Sequence, residues 1–438
     1  MAAARVYQRR WLLVRLPIAL VALALMVWLW VAVLPMPPTH LTMSAGAPDG
    51  IYHANGARYA RALAARGVQL DVIDSAGAVQ NLQRLRDEAG PPAQLAFVQG
   101  GVVVPESDAA SRPRLLTIAR IDVEPLWIFS RQAGMDSLQQ LQGLRVSLGA
   151  RGSGGRQLAL ALLRQVRLGA DDVVESPLVG LAAVRALREG QLDAMLLVSA
   201  PGAPAVRALL QAPGIHLVQL SRSAAIIELL PHLQLRLLPQ GALDPAARLP
   251  AHDTTLLVTT ASLVARADLA PALQRLAAAT ARDMHEAPGL FHRAGEFPSL
   301  KRVEFPASVE ARRTLAEGLP WLEQQLPFWW AQVAIRLLVI CVPVLLFAWA
   351  LARLVPAWLH WLVETRLVRW YGELKYIEHD LARQPDHGLD AARHLRALRG
   401  LEQQMVAFVP PDDLMPRWFT LRKHVHFVRQ RLFKGHGR

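Results

Sequence analysis

The sequence predicts an α/β domain carried between two membrane-spanning helices, and three observations lead there. Short apolar runs alternate with amphipathic helical runs through the middle of the chain, the pattern of parallel strands covered by helices. Two other stretches are too apolar for a soluble domain. The excess positive charge, +13 in all, sits mainly on the two flanks outside the alternating region.

The first apolar stretch runs from Leu16 to Leu34 without a charge, behind Arg5, Arg9, Arg10 and Arg15. As a helix it rises about 28 Å, enough to cross a hydrocarbon core. It is longer than the roughly 7–15 apolar residues of a cleaved signal peptide, so a retained anchor is expected. Strands follow at "HLTMSAG" (40–46), "VQLDVIDS" (68–75), "AQLAFVQ" (93–99), "LRVSLGA" (144–150) and "LDAMLLVSA" (192–200). Between them lie the helical patterns of 50–67, 78–88, 154–163 and 180–190. The second apolar stretch, "LLVICVPVLLFAWALA" (337–352), is bounded by Arg336 and Arg353, with Trp329, Trp330 and Trp358 as interfacial anchors and Pro343 as an expected kink. Beyond it come two charged amphipathic helices (365–384 and 389–408), a Pro-Pro-Asp-Asp turn and a basic aromatic tail. These read as a helical hairpin that lies on the membrane or self-associates.

Charge and cysteine narrow the function. Residues 366–438 carry fourteen Lys and Arg against eight acids, and the first fifteen residues carry four arginines. Basic flanks report a cytoplasmic side rather than a nucleic-acid surface, so no nucleic acid is expected. The single cysteine, Cys341, lies in the second apolar stretch and allows no intramolecular disulfide. No spacing of Cys or His makes a metal site, and neither metal nor cofactor is expected.

The expected division is a basic cytoplasmic N-terminus (1–15), a first span (16–36), an extracytoplasmic domain (37–327), a second span (328–356) and a helical cytoplasmic tail (357–438). The localisation that follows is a bacterial cytoplasmic membrane with the main domain in the periplasm.

The loops at the strand ends carry the chemistry. "VSLGARGSGGRQLALALL" (146–163) places small residues before a helix, where free N–H groups and the helix dipole attract an anion. It fails as a Walker loop, because Gly155 and Arg156 stand where Lys and Ser or Thr are needed. It fails as a nucleophile elbow, because Arg151 replaces a glycine, and as a dinucleotide fingerprint, because Gln157 does. An anion held without chemistry, or a plain tight turn, remains. "SAGAPDGIYHANG" (44–56), with Asp49 as an expected helix cap, and "DSAGAVQNLQRL" (74–85) repeat the design.

In order along the chain, "GxYxxxG", "GAVQNLQRL", "LAFVQGG", "EPLWIF", "LQGLRVSLGARGSG", "ALREGQLDAMLLVSAPGAPAV" and "HRAGEFPS" resemble the TAXI family. These are solute-binding proteins of tripartite ATP-independent periplasmic (TRAP) transporters. The segment "QLPFWWAQVAIRLLVICVPVLL…RWYGELKYIE" is similar to the membrane-anchored branch, and the resemblance covers about residues 38–378. It implies a type II periplasmic-binding-protein fold with one lobe at about 38–125 and 225–325 and the other at about 126–224. Hinges would fall near Glu124–Trp127 and Ser221–Ala225. It also implies a small carboxylate ligand, such as glutamate or 2-oxoglutarate, and TRAP membrane subunits as partners. The chain departs from the family at Ala47, His53, Ala78 and Gly155, the last two removing side-chain hydroxyls.

The expected ligand-binding residues are Asp49, Gly50, Tyr52, Gly77, Gln99, Glu124, Trp127, Arg151, Ser153, Gly154, Gly155 and Ser199. Arg156 is a further candidate to neutralise the anion. Each has a plainer reading: a buried tryptophan is more often core, and a loop arginine is usually solvated. An enzyme would need Ser153, His53 and Asp49 to converge, which nothing in their spacing requires; no catalytic role is expected. A sensor that uses the same domain without transport stays open. Transporter subunits encoded beside the gene would favour transport, and a kinase or cyclase would favour sensing.

Overall fold

A computed structural model describes residues 2–87, 90–103, 114–383, 388–410 and 414–435. The chain divides into two compact units, Met36–Ile335 and the combined segments Met1–Pro35 and Arg336–Arg438. The chain opens with α1 (Ala2–Trp28), which ends in a π-helical turn over Leu29–Val33.

The middle unit begins β1 (His40–Ser44), α2 (Ile51–Ala64), β2 (Gln69–Ile73), α3 (Ala78–Leu85) and β3 (Leu95–Gln99). Glu88, at the end of the helix expected over 78–88, lies outside the described residues. The sixteen-residue β4 (Leu115–Ser130) leads to β5 (Arg145–Ser147), α4 (Gly154–Gln165), β6 (Val174–Glu175), α5 (Gly180–Arg188) and β7 (Ala194–Val198). Next come α6 (Pro204–Leu210), β8 (His216–Leu217), α7 (Ser223–Leu229), β9 (Gln234–Leu238) and β10 (Thr254–Arg266). The unit closes with α8 (Pro271–His285), α9 (Val309–Glu317), α10 (Trp321–Gln325) and α11 (Phe328–Arg336).

The strand order is β2-β1-β3-β10-β4-β7-β5-β6, with β8 beside β4 and β9 beside β10. β1 pairs in parallel with β2 and β3, and β5 in parallel with β6 and β7. The two long strands join these halves. β4 pairs with β10 up to Pro125 and with β7 from Leu126. β10 pairs with β9 from Thr254 to Val258 and with β3 from Ala261 to Ala265. The first lobe packs Met43, Tyr59, Phe97 and Leu263 around α2 and α8. The second packs Leu158, Leu162 and Leu163 of α4 against Val146 and Leu196, with Trp127 and Phe129 covered by α5 and α6 on the opposite face.

The chain returns to the first lobe later than the sequence suggested. Ile226, Leu233 and Leu257 bury themselves with Leu158 and Leu162, so residues 226–257 pack with the second lobe. The return crossing lies in β10, near Val258–Ala261, and not at Ser221–Ala225.

In the helical unit, a π-helical turn over Leu337–Cys341 precedes α12 (Val342–Arg383). Pro343 has no N–H to close the turn behind it, and the widened turn absorbs the defect without ending the helix. The Arg336 guanidinium donates to the carbonyls of Leu34 (3.0 Å) and Pro35 (2.6 Å), where the first apolar helix ends. Two helical stretches, Arg15–Val33 and part of Phe328–Asp380, are long and apolar enough to cross a membrane.

α12 continues unbroken to pack with α13 (Gly388–Val406) and α14 (Met415–Gly435). The basic tail expected beyond a helical hairpin is thus a third helix. Its apolar residues Leu414, Trp418, Leu421, Val425, Val428 and Leu432 recur every three or four positions and bury against Leu374 and Leu398. Residues 411–413 of the expected turn lie outside the described residues.

Candidate functional site

A cleft of about 310 Å³ opens at the carboxyl ends of β1, β3, β5 and β7, where sheets of this kind take their ligands. Four helices of eight or more residues begin at its wall. Their N-caps are Gly50 for α2, Gly77 for α3, Ser153 for α4 and Val179 for α5. Each start leaves N–H groups without helical partners and a partial positive charge. No Lys, Arg or His is among the described residues that line the cleft. Its acids are Asp49 and Glu124.

The first-lobe loops rest on a buried polar network. Asn81 Oδ1 accepts from the hydroxyls of Ser44 (2.7 Å) and Ser75 (2.6 Å). Asn81 Nδ2 donates to the carbonyls of Phe97 (2.7 Å) and Ala45 (2.5 Å). Arg84 Nη1 donates to Ser44 Oγ and to the carbonyl of Asp74. One asparagine in an amphipathic helix therefore fixes the ends of three strands. Nothing in the local sequence marked it.

The second-lobe loop is held locally. Ser153 N donates to Ala150 O (3.0 Å), and Ser153 Oγ accepts from Arg156 N (3.1 Å), capping α4. The lobes touch beside it, where Gln80 N donates to Gly152 O (3.1 Å) and Val103 N to Gln157 Oε1 (3.2 Å). Gly77 adopts φ +131°, and a Cβ there would stand 3.0 Å from Ser153 Cα. A Cβ on Gly154 would stand 2.8 Å from Gln99 Oε1, so Gln99 lies directly on the start of α4.

Of the twelve expected residues, Asp49, Gly50, Tyr52, Gly77, Gln99, Glu124, Ser153, Gly154, Gly155 and Ser199 line the cleft. Trp127 does not. It is fully buried, stacks on Phe129 and donates from Nε1 to Ser199 O (2.8 Å), which positions the Ser199 loop from behind. Arg151 is exposed and lies outside the lining. Arg156 is engaged by Glu175 through two hydrogen bonds of 2.7 and 2.8 Å, and its bonds hold the Glu175 carboxyl below the usual range. Asp49 does not cap α2, whose N-cap is Gly50; its Oδ2 lies 3.2 Å from where a Cβ of Gly180 would be. Leu181 and Pro204 also line the cleft and were not anticipated, although they too follow strand ends.

Glu124 sits at the crossing point on β4, 6% exposed, and its Oε2 accepts from Tyr52 Oη (2.9 Å). Burial pushes its carboxyl up to about 8, with Asp122 adding to the shift and the Tyr52 bond opposing it. The same burial holds the Tyr52 phenol protonated. The residues weighed for catalysis do not converge: His53 Nδ1 bonds Asp74 Oδ1 (2.7 Å), while Ser153 Oγ serves the helix cap.

A two-lobed α/β domain with a ligand-sized cleft between crossing strands defines a solute-binding class. A family model described as NMT1-like matches residues 43–270, just over half of the chain. The chain belongs to the NMT1-like family, which has a periplasmic solute-binding fold. No curated protein matches the sequence. Among solved structures it is similar to a protein of Bordetella bronchiseptica RB50, at 17% identity and TM-score 0.38 over 56% of this chain and 70% of that one. It is also similar to the alkanesulfonate-binding protein SsuA from Xanthomonas axonopodis pv. citri bound to MOPS, at 14% identity and TM-score 0.33 (57% and 74% covered). The aliphatic sulphonate binding protein SsuA from Escherichia coli compares at 17% identity and TM-score 0.33 (56% and 68% covered).

Proposed function

We propose that the chain is a membrane-anchored solute-binding protein that captures a small carboxylate between its two lobes and serves a TRAP-type transporter of the TAXI kind. The observation that carries this reading is the convergence of four helix starts on a cleft lined, among the described residues, by no cationic side chain. Such a site attracts one compact anionic group through backbone N–H donors. Ser153, Gly154 and Gly155 would receive the carboxylate, with Gly77 lining the approach, its N–H held by Ser75 Oγ, and Tyr52, Gln99 and Ser199 around the body of the ligand. The TAXI and TRAP assignments rest on the motif order. The arginine-rich flanks support a topology with both termini cytoplasmic and residues 37–327 outside. The unbroken run of α12 from the apolar stretch to its packing with α13 and α14 supports a second reading, a sensor that passes closure inward. Co-purification with transporter membrane subunits would favour transport.

The test offers amino acids, 2-oxo acids, dicarboxylates, sugars and polyamines to right-side-out and inverted membrane vesicles holding the full chain. A small carboxylate should be retained by right-side-out vesicles alone. Retention of only a sugar or polyamine overturns the anion reading, and retention by inverted vesicles overturns the topology.

A further inference from the structure

Glu124 is an acid in a cleft whose helix ends favour an anion, and no cationic side chain lines that cleft among the described residues. Its Oε2 is engaged by Tyr52 Oη, and its Oε1 has no hydrogen-bond partner among the described residues. The charged and titratable groups around it are Asp122 on its own strand, Tyr52 at the start of α2, Asp49 on the first loop, and Glu304 before α9, whose charge reaches Tyr52. The nearby bases are turned elsewhere. Arg120 donates to Lys301 O (2.6 Å) and lies over the Phe297 ring; His292 is 3.4 Å from Asp122; Arg156 is held by Glu175. The start of α4 and the β7–α6 loop bring only Ser153 and Ser199 as side-chain donors.

An anion at the helix ends and an ionised Glu124 would be two like charges in one low-dielectric cavity, so each disfavours the other. An ammonium group would reverse this and draw Glu124 into its charged form. The empty valence of Oε1 decides what a neutral Glu124 can do, since a protonated carboxyl donates one hydrogen bond. We propose that Glu124 accompanies the bound anion in its protonated form and donates to a ligand oxygen, so that the cleft selects nitrogen-free acids, such as 2-oxo acids, over α-amino acids. The proposal rests on the carboxylate reading above and narrows it. The proton is the solvent's: it sits on Glu124 before the anion arrives, or is taken up with it. Burial raises the pKa of this carboxyl to about 8, which favours the protonated form at neutral pH.

The full chain in detergent is titrated calorimetrically with 2-oxoglutarate and with L-glutamate from pH 6 to pH 9. The affinity for 2-oxoglutarate should fall about tenfold from pH 6 to pH 9, as one linked proton with a midpoint near pH 8 requires. L-glutamate should bind more weakly at pH 7. In Glu124→Gln the fall should vanish, leaving affinity at pH 9 above that of wild type. Should that variant fail to fold, Tyr52→Phe gives a second reading: loss of the bond that favours the ionised form moves the midpoint to higher pH. A flat wild-type profile, or an unchanged fall in Glu124→Gln, overturns the proposal. So does a preference for L-glutamate that grows with pH. Failure of both acids to bind overturns it too, whereas only failure of every carboxylate in the vesicle panel overturns the reading beneath it.

Discussion

The first lobe's loops and the second lobe's loop meet at one cleft but are held in place differently. Behind Gly46, Gly50 and Gly77 stands the buried Asn81, with both ends of its amide bonded and Ser44, Ser75 and Arg84 around it. Behind residues 149–155 there is no such support. That loop relies on a glycine turn, the Ser153 cap and the apolar packing of α4 at Leu158, Leu162 and Leu163. A buried network in which both ends of the Asn81 amide are bonded fixes geometry at high cost if broken, whereas a cap and a turn leave the backbone N–H groups of Gly154 and Gly155 available. The first-lobe loops are therefore fixed from behind by side chains, and the second-lobe loop is held mainly by its own backbone turn and cap.

The largest effect should come from breaking that side-chain support. Asn81→Leu removes four buried hydrogen bonds, although Ser44 Oγ keeps Arg84 and Ser75 Oγ keeps Gly77 N and Ala45 O, and should lower unfolding stability by about 3 kcal/mol, measured by denaturant titration. A loss under about 1 kcal/mol would mean that the loops are held by packing alone. Next comes the seam. Gly77→Ala places a side chain at φ +131° and against Ser153, and should cost about 2 kcal/mol of the closed form. The φ strain lowers the denaturation midpoint, and the clash with Ser153 adds a loss felt only where the lobes meet, so calorimetry should show 2-oxoglutarate binding weakened beyond the loss of stability alone; equal losses in both would remove the distinction between folding and closure. The smallest effect is expected in the second lobe. Ser153→Ala removes one cap, worth about 1 kcal/mol, and the same denaturant titration would detect it. A loss as large as that of Asn81→Leu would show the two loops to be equally dependent on side-chain support.

Much of this arrangement was legible because strand ends, glycines and helix starts are local features. Gly50, Gly77 and Ser153 each fall where a strand pattern gives way to a helical one, and the sheet places such junctions on one edge. What depended on distant partners was not legible. Arg156 looked available for an anion until Glu175, on another strand, engaged it. Trp127 looked like a contact and proved to be buried behind Ser199. The second crossing was misplaced because residues 226–257 carry no break in composition; their allegiance is set by which apolar face they complete. The role of Asn81 and the raised pKa of Glu124 follow from burial, and burial is decided by the whole fold.

The meeting of Gly77 with the backbone of Ser153 has a further consequence. Side chains at a seam can rotate aside and let two bodies settle at several separations, but main chain against main chain cannot. The lobes meet here at a hard stop, joined by the bond from Gln80 N to Gly152 O. If the lobes close on a ligand as proposed, the cleft of about 310 Å³ that this contact bounds is set by the protein and not by its occupant. A solute too large for it holds the lobes apart, and one too small is left sharing the space with water. The glycine thereby serves as a gauge of molecular size.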